Sequence, residues 1–258
     1  FYIGRKKTID KIITFFKKFK KFDALVPFIN NLRGNFGIII DHPEFTFAAV
    51  DKISSYNIAY YINDQTFCAS NCALTLKKYF NIHQIDQVSL IEFEMAGYVS
   101  GNQTVYRNVK QLQAGELIVW DKISKESITK RYFVYYPEKI RTCNENVLID
   151  EFEKINNALF KRIIQDVNGN PIWVPLSGGL DSRLILCKLN ELGYDNIQAY
   201  SYGPPGNYEA KVAKKVARKL GVPWLFIPIR QKDIRRFYWS KNRKEYYAFA
   251  DNLSTIPV

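Results

Sequence analysis

This sequence contains few of the residues that most often carry nucleophilic, acid–base or metal chemistry. Its 258 residues include two histidines, four cysteines and one methionine. Neither His42 nor His83 has a recognisable motif around it, so the sequence does not favour a serine- or cysteine-based catalytic triad. Cys68 and Cys72 lie close in sequence, but no second cysteine pair or histidine cluster completes a zinc site. These absences argue against both a triad hydrolase and a zinc protein.

Long apolar runs are also absent. No stretch reaches the roughly 18 apolar residues that a membrane-spanning helix needs, which predicts a protein without a membrane span. The cysteine usage fits a reducing compartment, so we expect a cytoplasmic protein. Near the N-terminus, basic and apolar residues are interspersed, which predicts an amphipathic helix rather than a signal peptide. Its buried stripe would contain Ile9, Ile12, Ile13, Phe16 and Phe19, and membrane-surface binding is the alternative to burial on the domain.

Acidic residues are outnumbered by basic ones. The chain has 25 Asp and Glu against 37 Lys and Arg, which gives a net charge of +12. A basic balance of this size can indicate a nucleic-acid partner. The lysines, however, are spread along the chain rather than gathered in one block, which is typical of a solvated surface. We therefore do not expect a nucleic-acid partner, although another anionic partner stays open.

The most informative feature that is present is a hexapeptide typical of a pyrophosphate-binding loop. Its residues are Ser177, Gly178, Gly179, Leu180, Asp181 and Ser182. The apolar run before it, residues 172–176, predicts a short buried strand, and the apolar spacing over 181–192 predicts a helix. Free N–H groups in the first turn of a helix, together with the positive end of its dipole, bind anions. We expect the two glycines to let the backbone approach phosphate oxygens and to adopt positive φ.

Asp181 is the unusual member of this loop, because a carboxylate beside phosphates would repel them. It is explained if it holds a Mg²⁺ ion that bridges the phosphates. The alternative is an ordinary glycine-rich turn in which Asp181 and Ser182 cap a helix. The loop lacks the Gly-Lys-Ser/Thr ending of kinases and GTPases, which favours chemistry that releases pyrophosphate.

The residues after the loop predict alternating strands and helices. Strands are expected at 197–203 and 224–229, with a helix from Tyr208 to Leu220 between them. Ligands of parallel α/β sheets bind at the carboxyl ends of the strands, where both Ser177 and Gly203 fall. Before the loop, a helix is expected to end at 168–171, and its apolar face would contain Val147, Leu148, Phe152, Ile155, Leu159 and Ile163.

The sequence Ser-Gly-Gly-Leu-Asp-Ser at 177–182 resembles the signature of ATP pyrophosphatases of the asparagine synthetase type. Residues 197–203 resemble the second parallel strand of that family, whose end faces the adenine, and 208–221 resemble the following helix with its Glu-x-x-x-Ala pattern. The resemblance implies ATP as a substrate, Mg²⁺ as a cofactor and a phosphate-binding role for the hexapeptide.

Individual roles follow from the same resemblance. Asp181 would be the catalytic residue and the Mg²⁺ ligand, while Tyr202 and Gly203 would belong to the nucleotide site. Arg183 stands where the family more often has a small residue, and it could either reach a phosphate or lie on the helix surface. Glu209 is a further candidate.

The N-terminal half resembles the class II glutaminase-like domain of the same family. Residues 32–41 are similar to the segment usually written Leu-Asp-Gly-x-Phe-Ala-Phe, 58–62 to a stretch that ends in Tyr-Tyr, and 114–120 to the final Pro-Ala-Gly hairpin. Short Val/Ile/Phe/Tyr runs broken by Asp, Asn and Gly also predict a mostly β domain.

These features predict the fold class and the domains. We expect an α+β, layered, Ntn-hydrolase-like β domain over 1–140, and an incomplete α/β doubly wound parallel-sheet nucleotide-binding domain over 141–258. The chain begins with Phe1 rather than Met, and the family's second acidic motif, Ser-Gly-Asp/Glu-Gly-x-Asp-Glu, is not found after Gly221, so the chain is expected to be truncated at both ends.

Two departures from the family suggest that the glutaminase half is inactive. The glutamine-binding Asn-Gly-Glu of the family aligns with Ile3-Gly4-Arg5, and the Asp of Leu-Asp-Gly aligns with Arg33. Those acids bind the α-ammonium of glutamine, so arginines in their place would repel it. An incorrect alignment near Gly4 is the alternative interpretation.

The resemblance implies an ATP-dependent, AMP-forming carbon–nitrogen ligase. A small-molecule carboxylate would be adenylated and then amidated by ammonia or by a glutamine-derived amine, with aspartate as the acceptor by analogy. A sugar acid used for polysaccharide synthesis is an alternative acceptor. A tRNA- or nucleotide-modifying ATP pyrophosphatase and a non-catalytic nucleotide-binding relative are alternative functions, and a homodimer stays open.

Overall fold

A computed structural model describes residues 6–18, 22–137 and 140–250. Its chain divides into two compact units, of which the first runs up to Pro137 and also takes residues from Glu245 onward, and the second ends at Lys244. The fold is mixed α/β with several separate sheets. The predicted domains 1–140 and 141–258, with their enzymatic identities, stay a prediction.

The first unit contains two antiparallel sheets. Its strands are β1 (Gly37–Asp41), β2 (Phe45–Val50), β3 (Ala59–Ile62), β4 (Phe67–Ser70), β5 (Val109–Gln111), β6 (Glu116–Asp121) and β7 (Ser127–Arg131). The strand orders are β1-β2-β6-β7 and β4-β3-β5. Its helices are α1 (Lys6–Lys17), α2 (Leu25–Asn30), α3 (Ala73–Tyr79) and α4 (Gln87–Ala96). These strands coincide with the short β-branched and aromatic runs of the sequence.

The predicted N-terminal helix is present as α1, but only part of its apolar stripe is buried. Ile12 and Phe16 are buried in the core against β1 and β2. Ile9 and Ile13 are exposed, and Phe19 lies outside the described residues. The stripe is therefore narrower than the sequence predicts.

The second unit contains a three-stranded parallel sheet of order β10-β9-β8. Its elements are α5 (Glu145–Val167), β8 (Ile172–Pro175), α6 (Leu180–Glu191), β9 (Ile197–Gly203), α7 (Tyr208–Lys219), β10 (Trp224–Pro228) and α8 (Gln231–Tyr238). Helix α9 (Lys241–Ala250) follows. The alternation of strands and helices predicted after residue 171 is confirmed.

Helix α5 ends where the sequence predicts, but most of its predicted apolar face is exposed. The Asn144 side chain caps its start, and Asn168 ends it in the left-handed conformation. Phe160 and Asn156 are the buried residues of this helix. Val147, Leu148, Phe152, Ile155 and Leu159 are exposed, whereas Ile163 packs against the core. The periodicity correctly predicted a helix, but it did not identify which face is covered.

No helix among the described residues is long and apolar enough to cross a lipid bilayer.

A buried serine connects the strand before the hexapeptide to its neighbours. The Ser201 hydroxyl donates to the Leu176 carbonyl at 2.6 Å and accepts from the Trp224 indole N–H at 3.0 Å. Ser201 lies inside β9, so its hydroxyl links the residue that follows β8 to the first residue of β10.

We expect Ser201→Ala to lower the free energy of unfolding by about 1–3 kcal/mol, because it leaves a buried carbonyl and an indole N–H without a partner. Urea denaturation of the second unit, monitored by tryptophan fluorescence, measures this loss. Trp224→Phe combined with Ser201→Ala is the control, since removing both partners must cost less than the two single losses together. Strictly additive losses would contradict the assigned hydrogen bond.

Candidate nucleotide-binding site

The hexapeptide 177–182 lies in the strand–turn–helix context that its sequence predicts. Strand β8 ends at Pro175, and helix α6 begins at Leu180. In the parallel ladder, Pro175 pairs with Tyr200. Two residues further along, Ser177 therefore comes level with Tyr202, and both lie at the carboxyl edge of the sheet. The structure thus places the predicted phosphate loop and the predicted nucleotide residues Tyr202 and Gly203 at one edge.

Hydrogen bonds of two serine hydroxyls connect the first and last residues of the loop. The Ser177 and Ser182 hydroxyl oxygens are 3.0 Å apart. The Ser177 N–H donates to Ser182 Oγ at 3.1 Å, and the Gly179 N–H donates to Ser177 Oγ at 3.1 Å. The start of α6 has no side-chain cap, so the donors of its first turn point out without a side-chain acceptor. Free N–H groups and two adjacent hydroxyls are the donors that an anion requires at a helix N-terminus.

The two loop glycines are not needed for positive φ, contrary to the sequence-based expectation. Gly179 has φ −78° and ψ 175°, which any residue adopts, and Gly178 is not among the glycines with positive φ. A Cβ at position 179 would meet only the Ser177 Oγ, at 3.3 Å. Gly179 therefore leaves open space beside the loop, and the expected close approach of phosphate to the backbone stays a prediction.

Gly203 does require its glycine. Its φ is +136°, and a Cβ there would lie 3.0 Å from the Asn207 side-chain nitrogen. Its carbonyl accepts from the Ile229 N–H at 2.8 Å, which connects the ends of β9 and β10. Neighbouring Tyr202 is 62% exposed, so its ring is free to contact a ligand at this edge.

Arg183 contacts the loop from behind. Its Nη2 donates to the Gly178 carbonyl at 3.3 Å. Its Nε is buried and has no hydrogen-bond partner among the described residues. The sequence left open whether Arg183 reaches a phosphate or lies on the helix surface. In the structure the side chain is half-buried and braces the loop backbone.

Glu209 also lies against the loop. A Cβ at position 178 would be 3.4 Å from Glu209 Cγ, so the first turn of α7 packs beside Gly178. This proximity supports the inclusion of Glu209 among the candidate residues.

Asp181 is exposed in the first turn of α6. The described residues contain no cluster of three or more His, Cys, Asp or Glu side chains that could hold a metal ion. Magnesium does not need such a cluster, because it binds one or two carboxylates together with substrate phosphates and water. The exposed Asp181 carboxylate beside an anion-binding loop therefore fits Mg²⁺ that arrives with a nucleotide.

The residues of the predicted inactive glutamine site are only partly described. Ile3, Gly4 and Arg5 lie outside the described residues. Arg33 is exposed just before β1.

Sequence reasoning missed the residues that support the loop. Ser201 was considered only as part of a strand, and the contact of Glu209 with Gly178 crosses between two elements. One sequence pattern could have identified Ser201. Every second residue of β9 is buried, namely Ile197, Ala199, Ser201 and Gly203. A serine within that apolar row indicates a hydrogen bond in the core.

One protein-family model matches a part of the chain that lies within the second unit. Residues 153–240 match the Asn_synthase family model, described as asparagine synthase, which covers about a third of the chain. No curated protein matches the chain.

Two solved structures are similar to the chain at low identity. One is the allosteric regulatory enzyme of purine biosynthesis, with 12% identity and a TM-score of 0.33, covering 91% of this chain and 44% of that chain. The other is a glutamine-dependent NAD⁺ synthetase from Acinetobacter baumannii in complex with ADP, with 14% identity and a TM-score of 0.29, covering 88% and 45%. The chain spans less than half the length of either protein, and at these TM-scores neither likeness carries an argument about the fold or the activity.

Proposed function

We propose that this protein is an ATP-dependent amide ligase that adenylates a carboxylate and releases pyrophosphate. The observation that carries this proposal is the open loop at 177–182, where first-turn N–H donors and the Ser177 and Ser182 hydroxyls converge at the carboxyl edge of a parallel sheet. The match of residues 153–240 to the asparagine synthase family supports it. Fold alone would not decide the chemistry.

In the proposed reaction, an oxygen of the substrate carboxylate attacks the α-phosphorus of ATP. The bond from that phosphorus to the bridging oxygen breaks, and the products are an acyl-adenylate and pyrophosphate. Ammonia then attacks the acyl carbon, loses a proton, and displaces AMP to form the amide. The loop N–H groups and hydroxyls stabilise the negative charge that develops on the leaving pyrophosphate.

Asp181 would hold Mg²⁺ on this loop. When bound, the ion neutralises phosphate charge and orients the phosphate chain. Tyr202 near the end of β9 would contact the adenine or ribose of the nucleotide, and its largely exposed ring supports this proposal. Arg183 positions the loop through the Gly178 carbonyl rather than by direct contact with the substrate.

The amine is proposed to be ammonia and not glutamine. Arg33 aligns with the acidic residue that binds the α-ammonium of glutamine in the family that the sequence resembles. A guanidinium at this position repels that ammonium group. Aspartate is the acceptor by analogy alone, so other small carboxylates belong in the same test.

The test uses the whole natural protein with Mg²⁺·ATP, ammonium and a panel of carboxylates that begins with aspartate. We expect AMP, pyrophosphate and an amide in equal amounts with one acceptor, and no amide when glutamine replaces ammonium. Formation of ADP, or no nucleotide turnover with any acceptor, would contradict the ligase proposal. Efficient glutamine hydrolysis would contradict only the proposed choice of amine.

One observation favours a second candidate, an ATP pyrophosphatase that modifies a nucleic acid. Residues 208–244 hold 12 of the 37 basic side chains and two of the 25 acidic ones. The basic residues are spread along the chain, as expected for the lysines, but most of the net charge lies on α7, α8 and the start of α9. Exposed Trp239 lies within this basic segment, and aromatic rings among basic side chains can stack bases.

Filter binding with bulk tRNA at two salt concentrations distinguishes this candidate. Specific, salt-sensitive binding that is lost in an Arg235→Gln, Arg236→Gln variant would favour the nucleic-acid enzyme. Binding that is equal in both proteins would leave only the ligase.

A further inference from the structure

The first unit contains a cavity that the proposed ligase chemistry does not use. Its volume is about 740 Å³, within the roughly 300–1,000 Å³ of small-molecule sites. It lies between the end of α4, the loop that follows it, the residues around β5, and the last residue of β7. All of its lining residues belong to the first unit, so the cavity can be considered without reference to the second.

Three half-buried amide side chains line this cavity. Asn57, Gln111 and Gln113 are among its lining residues, and their side-chain amides have no hydrogen-bond partner among the described residues. The backbones of Gln111 and Gln113 are fixed in the fold, since the Gln111 N–H donates to the Asn102 carbonyl and the Gln113 N–H donates to Glu116 Oε2, both at 2.8 Å. Side-chain amides with free donors and acceptors suit a ligand that is rich in hydroxyl groups.

One cationic side chain supplies the charge at the described lining of this cavity. Arg131 is the only charged residue among the described residues that line it. Its Nε donates to the Ala114 carbonyl at 3.4 Å, which holds the guanidinium at the rim. Glu116 is opposite Arg131 in the β6–β7 ladder, but its carboxylate is engaged by the Gln113 N–H and does not line the cavity. No acid among the described lining residues faces the ligand space, so a ligand carboxylate is the natural partner of this guanidinium.

The absence of a lining acid also excludes one class of ligand. An amino acid such as glutamine carries an α-ammonium that needs a carboxylate partner, and none of the described lining residues supplies one. The cavity wall instead contains Phe93 and Tyr98. Aromatic rings of this kind pack against the apolar face of a sugar ring, while amides bind its hydroxyls.

We propose that this cavity binds a small hydroxylated monocarboxylate, namely a sugar acid of the uronic acid class. Its carboxylate pairs with Arg131, its hydroxyls bond to the amides of Asn57, Gln111 and Gln113, and one face of its ring lies on the aromatic wall. This site is independent of the ATP loop, and neither depends on the other for its test.

The experiment titrates the whole chain with D-glucuronate by calorimetry, with D-glucose and L-glutamine as parallel probes. We expect glucuronate to bind at least about 10-fold more tightly than glucose or glutamine, because only glucuronate offers both a lone carboxylate and hydroxyls. Arg131→Gln should weaken glucuronate binding about 10-fold or more. Lys130→Gln is the matched control, since it removes a cation from the adjacent residue of β7, which does not line the cavity.

Gln111→Glu provides a second variant of nearly the same shape. It places a carboxylate inside the cavity and should abolish glucuronate binding while circular dichroism stays unchanged. The proposal is overturned if glucuronate does not bind the natural chain, if glucose binds equally well, or if Arg131→Gln and Lys130→Gln weaken binding to the same extent. Binding of Mg²⁺·ATP by the same samples reports on the loop separately.

Discussion

Gly179→Val is expected to abolish Mg²⁺·ATP binding while leaving the protein folded. The position has extended backbone angles that valine adopts readily, and its Cβ would meet only the Ser177 hydroxyl. The branched side chain would fill the space in front of the loop, where phosphate oxygens must approach the backbone. Losing two hydrogen bonds to a charged phosphate costs about 3–6 kcal/mol, which corresponds to a decrease in affinity of roughly 100-fold or more.

Leu180→Ala is the matched control for this variant. Leu180 is 75% exposed, and we assign only its backbone N–H to phosphate binding. Shortening its side chain should change the dissociation constant, measured by calorimetry, by less than about 3-fold. If Gly179→Val binds Mg²⁺·ATP as tightly as Leu180→Ala does, phosphate does not approach this loop and the assigned site is wrong.

Asp51→Ala is expected to produce the largest loss of stability in the first unit, about 3–5 kcal/mol, because it removes a buried carboxylate with several donors. Asp51 is 3% exposed. Its carboxylate accepts from the N–H groups of Phe36 at 2.8 Å, Ile53 at 2.9 Å and Ser55 at 3.1 Å. Hydrogen exchange of the β2 and β6 amides measures the loss, since those strands adjoin Asp51 within the first unit.

The chain offers a natural control for Asp51. Asp121 likewise accepts from N–H groups shortly after it in sequence, those of Ile123 and Ser124 at 2.7 and 2.9 Å, but this turn is on the surface. Asp121→Ala should cost no more than about 1 kcal/mol, because water replaces the lost acceptor. Equal losses for the two variants would contradict the structural role assigned to Asp51.

Local sequence patterns predicted the elements of the second unit well. The strand, loop and helix around 177–182 follow from apolar spacing and a glycine pair, and Asn168 ends α5 as expected. These features depend on residues that are neighbours in sequence, so a single sequence contains the necessary information.

Features that depend on distant contacts could not be predicted in this way. The exposed face of α5 is an example, since periodicity locates an apolar stripe but not the element that covers it. The role of Asp51 is another, because its donor Phe36 lies 15 residues away. The cavity around Arg131 and Gln111 combines residues from several elements and left no motif in the sequence.

Expectations about single side chains failed for a related reason. Gly178 and Gly179 were expected at positive φ because many phosphate loops need it, whereas neither has a positive φ; Gly178 packs beside Glu209, and Gly179 leaves open space beside the loop. The basic residues were judged along the whole chain, which concealed their concentration over 208–244.

The central claim is that residues 177–182 bind the phosphates of Mg²⁺·ATP. The most direct measurement is a two-dimensional ¹H–¹⁵N NMR titration of the labelled chain with Mg²⁺ and a non-hydrolysable ATP analogue. We predict saturable shifts of the Gly178–Ser182 amides, smaller shifts at Tyr202 and Gly203, and no shifts in a Gly179→Val sample. Shifts that occur elsewhere in the chain while the loop amides stay unchanged would contradict the claim.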